Sequence, residues 1–341
     1  MRAFLWTACA VTLCLTACSP EAAEPVEWSF ESSIRALTVA ADGSVWWAGS
    51  GGLVGHTADQ GNTWHVDTLL RPDGSVPAFR SVAVTGDAAF ALSIESPALL
   101  YRKLHGEADW TVVYQNSDSL AFFDSMQFWD DRQGIAMGDP LHGCLSVIIT
   151  RDGGATWSEV PCSDLPPAEE AAFAASNGNI ALFGDEAWIA SGGVASRIFH
   201  TSDRGRTWGV TETPIVQGGA MTGLFSVARC DTENGIGWGG NWEEMEDNSA
   251  NKITTQDGGQ TWALLTPGTG PGYRSSVQYV PDSDCQSLWA VGIPGISRSE
   301  DGGATWTTVA DSSFYTVRFT DDGTTAWLAG RGKVARRPAR P

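Results

Sequence analysis

Thr150-Arg151-Asp152-Gly153-Gly154-Ala155-Thr156-Trp157 decides the fold, because the same eight-residue pattern returns four more times along the chain. The other copies end at Trp64, Trp208, Trp262 and Trp306. Each keeps Asp at the third place (Asp59, Asp203, Asp257, Asp301), Gly at the fifth, Thr at the seventh and Trp at the eighth. A degenerate copy ends at Trp110, with Asp109 in place of the second Thr and its glycine displaced to Gly106. The Asp carboxylate suits the backbone N–H groups of its own turn, Gly takes a conformation that a side chain obstructs, and the Thr hydroxyl ties the loop ends. The Trp then enters the next strand and packs between sheets. The five aspartates therefore read as structural, and neither as calcium ligands nor as catalytic acids.

Successive tryptophans lie 46, 47, 51, 54 and 44 residues apart, a period that suits one four-stranded sheet per repeat. Two further strands precede each turn. They read at 36–39 and 45–48, 81–84 and 90–92, 125–128 and 134–137, 171–175 and 188–190, 226–229 and 235–237, and 277–280 and 288–291. A last pair, 316–319 and 326–329, has no such turn after it. Glu27-Trp28-Ser29-Phe30 resembles the outer strand that such a turn leads into, without the turn itself. If it joins the last sheet, the ring closes and no edge is left unpaired. The repeat resembles the Asp-box, or BNR, motif, and the expected fold is an all-β, seven-bladed β-propeller whose N-terminal strand closes the last blade.

The 341 residues carry 21 Lys plus Arg against 40 Asp plus Glu, a formal net charge of -19. That balance repels phosphate backbones and excludes a nucleic-acid partner. Arg2 followed by an apolar run to Leu15-Thr16-Ala17-Cys18 resembles a bacterial lipobox. The expected organisation is a lipoprotein signal peptide (1–17), a tether (18–26), the propeller (27–335) and a basic tail (336–341). Lipidation of Cys18 would anchor the protein in the bacterial envelope. Ser19 rather than Asp comes after the cysteine, which points to the outer membrane, facing the periplasm. The membrane is met through the lipid only, and the body is expected to be a monomer. Cys144, Cys162, Cys230 and Cys285 remain, without metal-ligand spacing. Folding the hairpin about Gly153 and Gly154 sets Cys144 opposite Cys162, and Cys230 with Cys285 is the remaining pairing. Buried free thiols are the alternative for all four. No cofactor and no metal is expected.

A propeller gathers the entrances of its inner strands around a central mouth. The residues there are Arg35, Arg80, Asp124, Glu170, Phe225, Arg274 or Ser275, and Tyr315. Three arginines opposed to two carboxylates suit a carboxylate, a phosphate or an acidic peptide, because guanidinium offers paired hydrogen bonds. A closed ring of ion pairs is the structural alternative. Glu95, Asp139, His142, Asn241, Trp242 and Arg331, on loops of the same face, complete a polar cup in this reading.

Phe128-Trp129-Asp130-Asp131-Arg132-Gln133-Gly134-Ile135-Ala136-Met137-Gly138-Asp139-Pro140, Glu170-Ala171-Ala172-Phe173-Ala174-Ala175-Ser176 and Asp203-Arg204-Gly205-Arg206-Thr207-Trp208 resemble the photosystem II assembly/stability factor-like propellers, within the WD40/YVTN/BNR-like superfamily. The resemblance covers about residues 28 to 335. It implies a seven-bladed fold and a non-catalytic role, binding a protein, a peptide or a small anionic ligand at the mouth as an assembly or stability factor. The alternative is a sialidase-like glycoside hydrolase or other polysaccharide-processing enzyme. In it Arg35, Arg80 and Arg274 clamp a carboxylate, Tyr315 attacks and Asp124 serves as acid or base. The Arg-Ile-Pro signature of sialidases is absent, with Ile34-Arg35-Ala36 in its place. No dinucleotide fingerprint, CxxC or haem-attachment motif supports redox chemistry.

Overall fold

The computed structural model describes residues 25–340. The signal peptide, Cys18 and nearly all of the proposed tether lie outside these residues.

Strands β1 (Val26–Val39), β2 (Val45–Gly49), β3 (Leu53–Thr57) and β4 (His65–Thr68) open the chain. A second sheet holds β5 (Phe79–Val84), β6 (Ala88–Ser93), β7 (Ala98–Leu104) and β8 (Thr111–Asn116). The third holds β9 (Phe123–Phe128), β10 (Gly134–Leu141), β11 (Cys144–Thr150) and β12 (Ser158–Glu159). The fourth holds β13 (Ile180–Phe183), β14 (Glu186–Ala190), β15 (Arg197–Thr201) and β16 (Gly209–Glu212). The fifth holds β17 (Thr222–Arg229), β18 (Gly235–Asn241), β19 (Lys252–Thr255) and β20 (Ala263–Leu264). The sixth holds β21 (Ser276–Tyr279), β22 (Leu288–Gly292), β23 (Gly295–Ser299) and β24 (Thr307–Ala310). The chain ends in β25 (Thr316–Phe319) and β26 (Thr325–Pro338).

The all-β propeller is present, but it has six blades and not seven. β25, β26, β1, β2, β3 and β4 form one six-stranded sheet, whereas the other five sheets have four strands each. The cause is the continuity of two long strands. β1 pairs with β26 from Val26 to Ser33 and with β2 from Ile34 to Val39, so the strands assigned to the first and last blades share one hydrogen-bonded sheet. Trp28 faces Val334 across the β1–β26 pairing, and its ring stacks on Trp327 at 5.5 Å. The two chain ends thus close the ring together. The basic segment from residue 336 is not a separate tail, since β26 runs to Pro338, Ala339 N–H donates to the Thr324 carbonyl, and Arg336 donates to the Gln60 carbonyl.

The repeated turn accounts for the blades' outer hairpins. In the copy at Thr57, the Thr hydroxyl donates to Asp59 Oδ1 (2.8 Å) and accepts from Gly61 N–H (2.9 Å). Asp59 accepts the N–H (2.8 Å) and hydroxyl (2.7 Å) of Thr63. The same bonds recur around Asp152, Asp203, Asp257 and Asp301. Four of the five turns set their Trp against aromatic neighbours, Trp64 on Trp28 and Phe30, Trp157 on Phe128, Trp262 on Trp188 and Trp306 on Trp238, whereas Trp208 packs on the cluster that holds Ile135 and Ile149. Hydrogen bonds from Thr63 hold the Asp59 carboxyl down at about 2. A carboxyl depressed in the fold stabilises it fully above its unfolded value near 3.8, and that contribution is lost as pH falls towards 2. The urea midpoint is therefore expected to fall between about pH 4 and pH 2, with a shallower slope in Asp59→Asn. An unchanged slope in that variant would show that the turn carboxylate carries no such linkage.

The inner strand of the fourth blade corrects a second expectation. Residues 171–175 do not form it; β13 (Ile180–Phe183) does, pairing Ala181 with Trp188. Phe173 and Ala175 pack instead with Phe225 and Tyr273 at the mouth, and Ala171 is bridged to Gly192.

Candidate functional site

Every inner strand begins on one face of the propeller, and the loops joining second to third strands return to that face. Arg35, Arg80, Asp124 and Tyr315 meet there. The Arg35 guanidinium lies over the Tyr315 ring, 4.0 Å from its centroid, a cation–π contact. Arg80 donates to the Ala174 carbonyl at 2.9 Å. Burial, with the nearby charge of Arg35, lowers the Arg80 guanidinium to about 10, so it stays protonated near neutral pH. Among the described residues neither arginine joins an ion pair. Asp124 is the carboxyl that would compensate them, but it is fully buried and neither oxygen has a hydrogen-bond partner. Burial pushes its pKa well up, Asp139 adds to the rise, and Arg80 opposes it. Burial also raises Asp139, which accepts the Ala172 N–H at 2.9 Å. Glu95 is exposed on the rim, where its charge reaches Arg80. In a chain of net charge -19, Arg35 and Arg80 thus stand at the centre of the mouth as cations without an ion-pair partner, with Glu95 and the acidic loop at 243–247 on its rim.

The segment 173–179 closes the channel below it. Phe173 stacks on Phe225 at 3.9 Å, and Phe225 meets Tyr273 edge-on at 4.8 Å. Asn177, at φ 54°, then crosses the axis. Its Oδ1 accepts from Ser125 Oγ and Met126 N–H (both 3.1 Å), its Nδ2 donates to the Val82 carbonyl (3.2 Å), and its own carbonyl accepts from Arg318 (2.6 Å). Gly178 accepts the Val227 N–H at 3.0 Å. Strands of four sheets hold these two residues, so the mouth is a bowl with a floor. Segment 173–179 provides that closure through backbone and amide groups and not through the ring of ion pairs that was the alternative reading of the sequence.

The other expected residues lie elsewhere. Arg274 is buried and turns away, donating to the Tyr273 carbonyl and to Ser297 Oγ at 2.9 Å; burial lowers it to about 10. Gly292 lets it pass, since a Cβ there would stand 3.1 Å from the Arg274 Cα. Glu170 is buried in a two-pronged pair with Arg197, at 2.6 and 2.9 Å, and does not face the bowl. His142 is exposed, 3.8 Å from Asp118, at a groove between the second and third blades, and makes no hydrogen bond with Asp139. Asn241 caps its own loop by accepting the Glu243 N–H, Trp242 is exposed beside it, and Arg331 is exposed opposite Ser33. The structure joins Cys144 to Cys162 and Cys230 to Cys285, each with Cα atoms 5.6 Å apart. Among the described residues, the one cluster with metal-ligand geometry is Cys230, Asp231 and Cys285, and its sulfurs are bonded to each other. Phe173, Tyr273 and Asn177 were not singled out from the sequence. The aromatic residues beside successive inner-strand entrances were the available signal.

No protein-family model matches this sequence, and no curated protein does. Among solved structures, the chain is similar to one titled "YCF48 bound to D1 peptide", at 17% identity over 92% of this chain and 96% of that one, with a TM-score of 0.65. It is also similar to the RRP9 WD40 repeats (12% identity, 93% and 97% covered, TM-score 0.67) and to virginiamycin B lyase from Staphylococcus aureus (13%, 92% and 99%, TM-score 0.59). A peptide-bound protein, a WD40 domain and a lyase share this architecture, so the likeness establishes a β-propeller and the function must be argued from the bowl itself.

Proposed function

We propose that this chain is a non-catalytic propeller that binds a protein or peptide through an acidic group seated on Arg35 and Arg80, acting as an assembly or stability factor. The observation that carries the reading is the pair of arginines without carboxylate partners, one lying on Tyr315, in an otherwise acidic protein. Guanidinium groups in a partly desolvated bowl favour a carboxylate strongly. The surrounding loops favour a macromolecule over a free ion. Leu70, Val76, Leu120, Val194, Trp242 and Ile293 are all exposed, and all sit on loops of the mouth face. Exposed apolar side chains around the charged centre add surface that a protein or peptide would cover and a free ion would not. The similar structure whose title names a bound peptide agrees with this reading. The sialidase-like alternative loses its clamp, because Arg274 points to Ser297.

Titration with a synthetic acidic peptide, against its neutral counterpart in which Gln replaces Glu and an amide replaces the terminal carboxylate, tests the proposal. The acidic form is expected to bind about tenfold tighter or more, with an affinity that falls as salt rises. Equal affinities would reject it. The envelope location is part of the same proposal and rests on Leu15-Thr16-Ala17-Cys18. Acyl groups on Cys18 in the intact mass of the mature protein are the expected result, and an unmodified Cys18 would remove the anchor.

A further inference from the structure

Below the Asn177 floor, on the face opposite the bowl, the axis holds a second cavity of about 260 Å³. The register of the inner strands explains its chemistry. The next-to-last residues of five inner strands fall at equivalent positions: Thr38, Ala83, Gln127, Gln278 and Arg318 all line the cavity. Arg318 is the single charged side chain among them, and no carboxylate lines the space. It joins none of the ion pairs among the described residues. Its guanidinium donates to Thr316 Oγ1 (3.2 Å), the Val317 carbonyl (2.7 Å) and the Asn177 carbonyl (2.6 Å). A guanidinium has five N–H donors, so these bonds orient the group without exhausting it. Neutral oxygens alone compensate a half-buried cation poorly, which leaves the guanidinium able to take an anionic partner.

We propose that this lower cavity is a site for a compact oxyanion, of phosphate or carboxylate size, organised by Arg318. The volume suits such an ion and not a peptide. Asn177 separates it from the bowl, so the two sites load from opposite faces. Burial lowers the Arg318 guanidinium to about 10, which leaves it charged near neutral pH.

Inorganic phosphate is the probe, titrated into the purified protein against sodium chloride of matched ionic strength, with thermal stability and calorimetry as readouts. A saturable rise in Tm is expected for the unaltered protein, and selenate soaked into crystals should give anomalous density beside Arg318. Arg318→Gln is expected to weaken phosphate about tenfold or more, whereas the Arg35→Gln/Arg80→Gln double variant keeps the response. If Arg318→Gln does not fold, Gln278→Glu serves instead. It adds a carboxylate to the same cavity, and is expected to raise Tm without phosphate and to abolish the response. The proposal is overturned if the unaltered protein shows no saturable response, if the variants respond as it does, or if selenate lies only at Arg35 and Arg80.

Discussion

Trp28→Ala is expected to cost about 3 to 5 kcal/mol of stability, read as a lower denaturant midpoint. Trp28 lies in the pairing that joins the chain's two ends, where Glu27 faces Ala335 and Ser29 faces Lys333. Its ring is stacked on Trp327, meets Trp64 edge-on at 5.6 Å, and covers Gly61 so closely that a Cβ there would overlap the indole. Gly61 also sits at φ +89°, so this contact depends on glycine twice, for backbone conformation and for room. Truncation to Ala would open a cavity that three elements distant in sequence share and cannot collapse to fill. Because the closing pairing is local to β1 and β26, we expect amide exchange to rise first at residues 26–29 and 333–336. A loss below about 1 kcal/mol, or exchange that rises evenly around the ring, would show that closure does not depend on this ring.

How much of the molecule was legible in the sequence depended on the range of each interaction. The turns around Asp59, Asp152, Asp203, Asp257 and Asp301 were legible because the atoms that satisfy one another lie within four or five residues. The blade count was not, since the N-terminal strand meets the last sheet as expected but runs on without a break into the inner strand of the first blade, so that one strand pairs with both β26 and β2. The inner strand of the fourth blade was misplaced because Phe173 and Ala175 are spaced as on one face of a strand, while they pack with Phe225 and Tyr273 at the bowl. Site residues divided in the same way. Arg80 and Arg274 occupy similar positions before inner strands, yet Ser297 and the space at Gly292 draw Arg274 out of the bowl. Glu170 was read as a free carboxylate because Arg197 lies far from it in sequence. The ring containing Arg318 was readable from the Ser/Thr-x-x-aromatic rhythm at Ser125, Ser276 and Thr316, whose third residues, Gln127, Gln278 and Arg318, are polar and only partly buried.

In the Arg35→Gln/Arg80→Gln double variant, affinity for the acidic peptide is expected to fall about 100-fold or more, and the difference between acidic and neutral peptides to vanish. Two charge-assisted contacts at roughly 1.5 to 3 kcal/mol each set that scale. The outcome for stability separates binding from architecture. Neither guanidinium forms an ion pair in the fold, so replacing them relieves their mutual repulsion and removes desolvated charge. The glutamine side chain of Arg80→Gln ends two bonds short of the guanidinium nitrogens and gives up the bond to the Ala174 carbonyl, a loss that the relieved repulsion offsets, so Tm is expected to stay about level. A structural role would show the reverse pattern, with lowered Tm and unchanged peptide affinity, and that result would end the binding proposal. Arg274→Gln is the internal control. Its side chain ties the Tyr273 carbonyl to Ser297, so it is expected to lose stability while leaving peptide affinity within about twofold. Because Arg80 remains charged up to about 10, the affinity of the unaltered protein should be level around neutral pH, and its fall with salt should flatten when both arginines are gone.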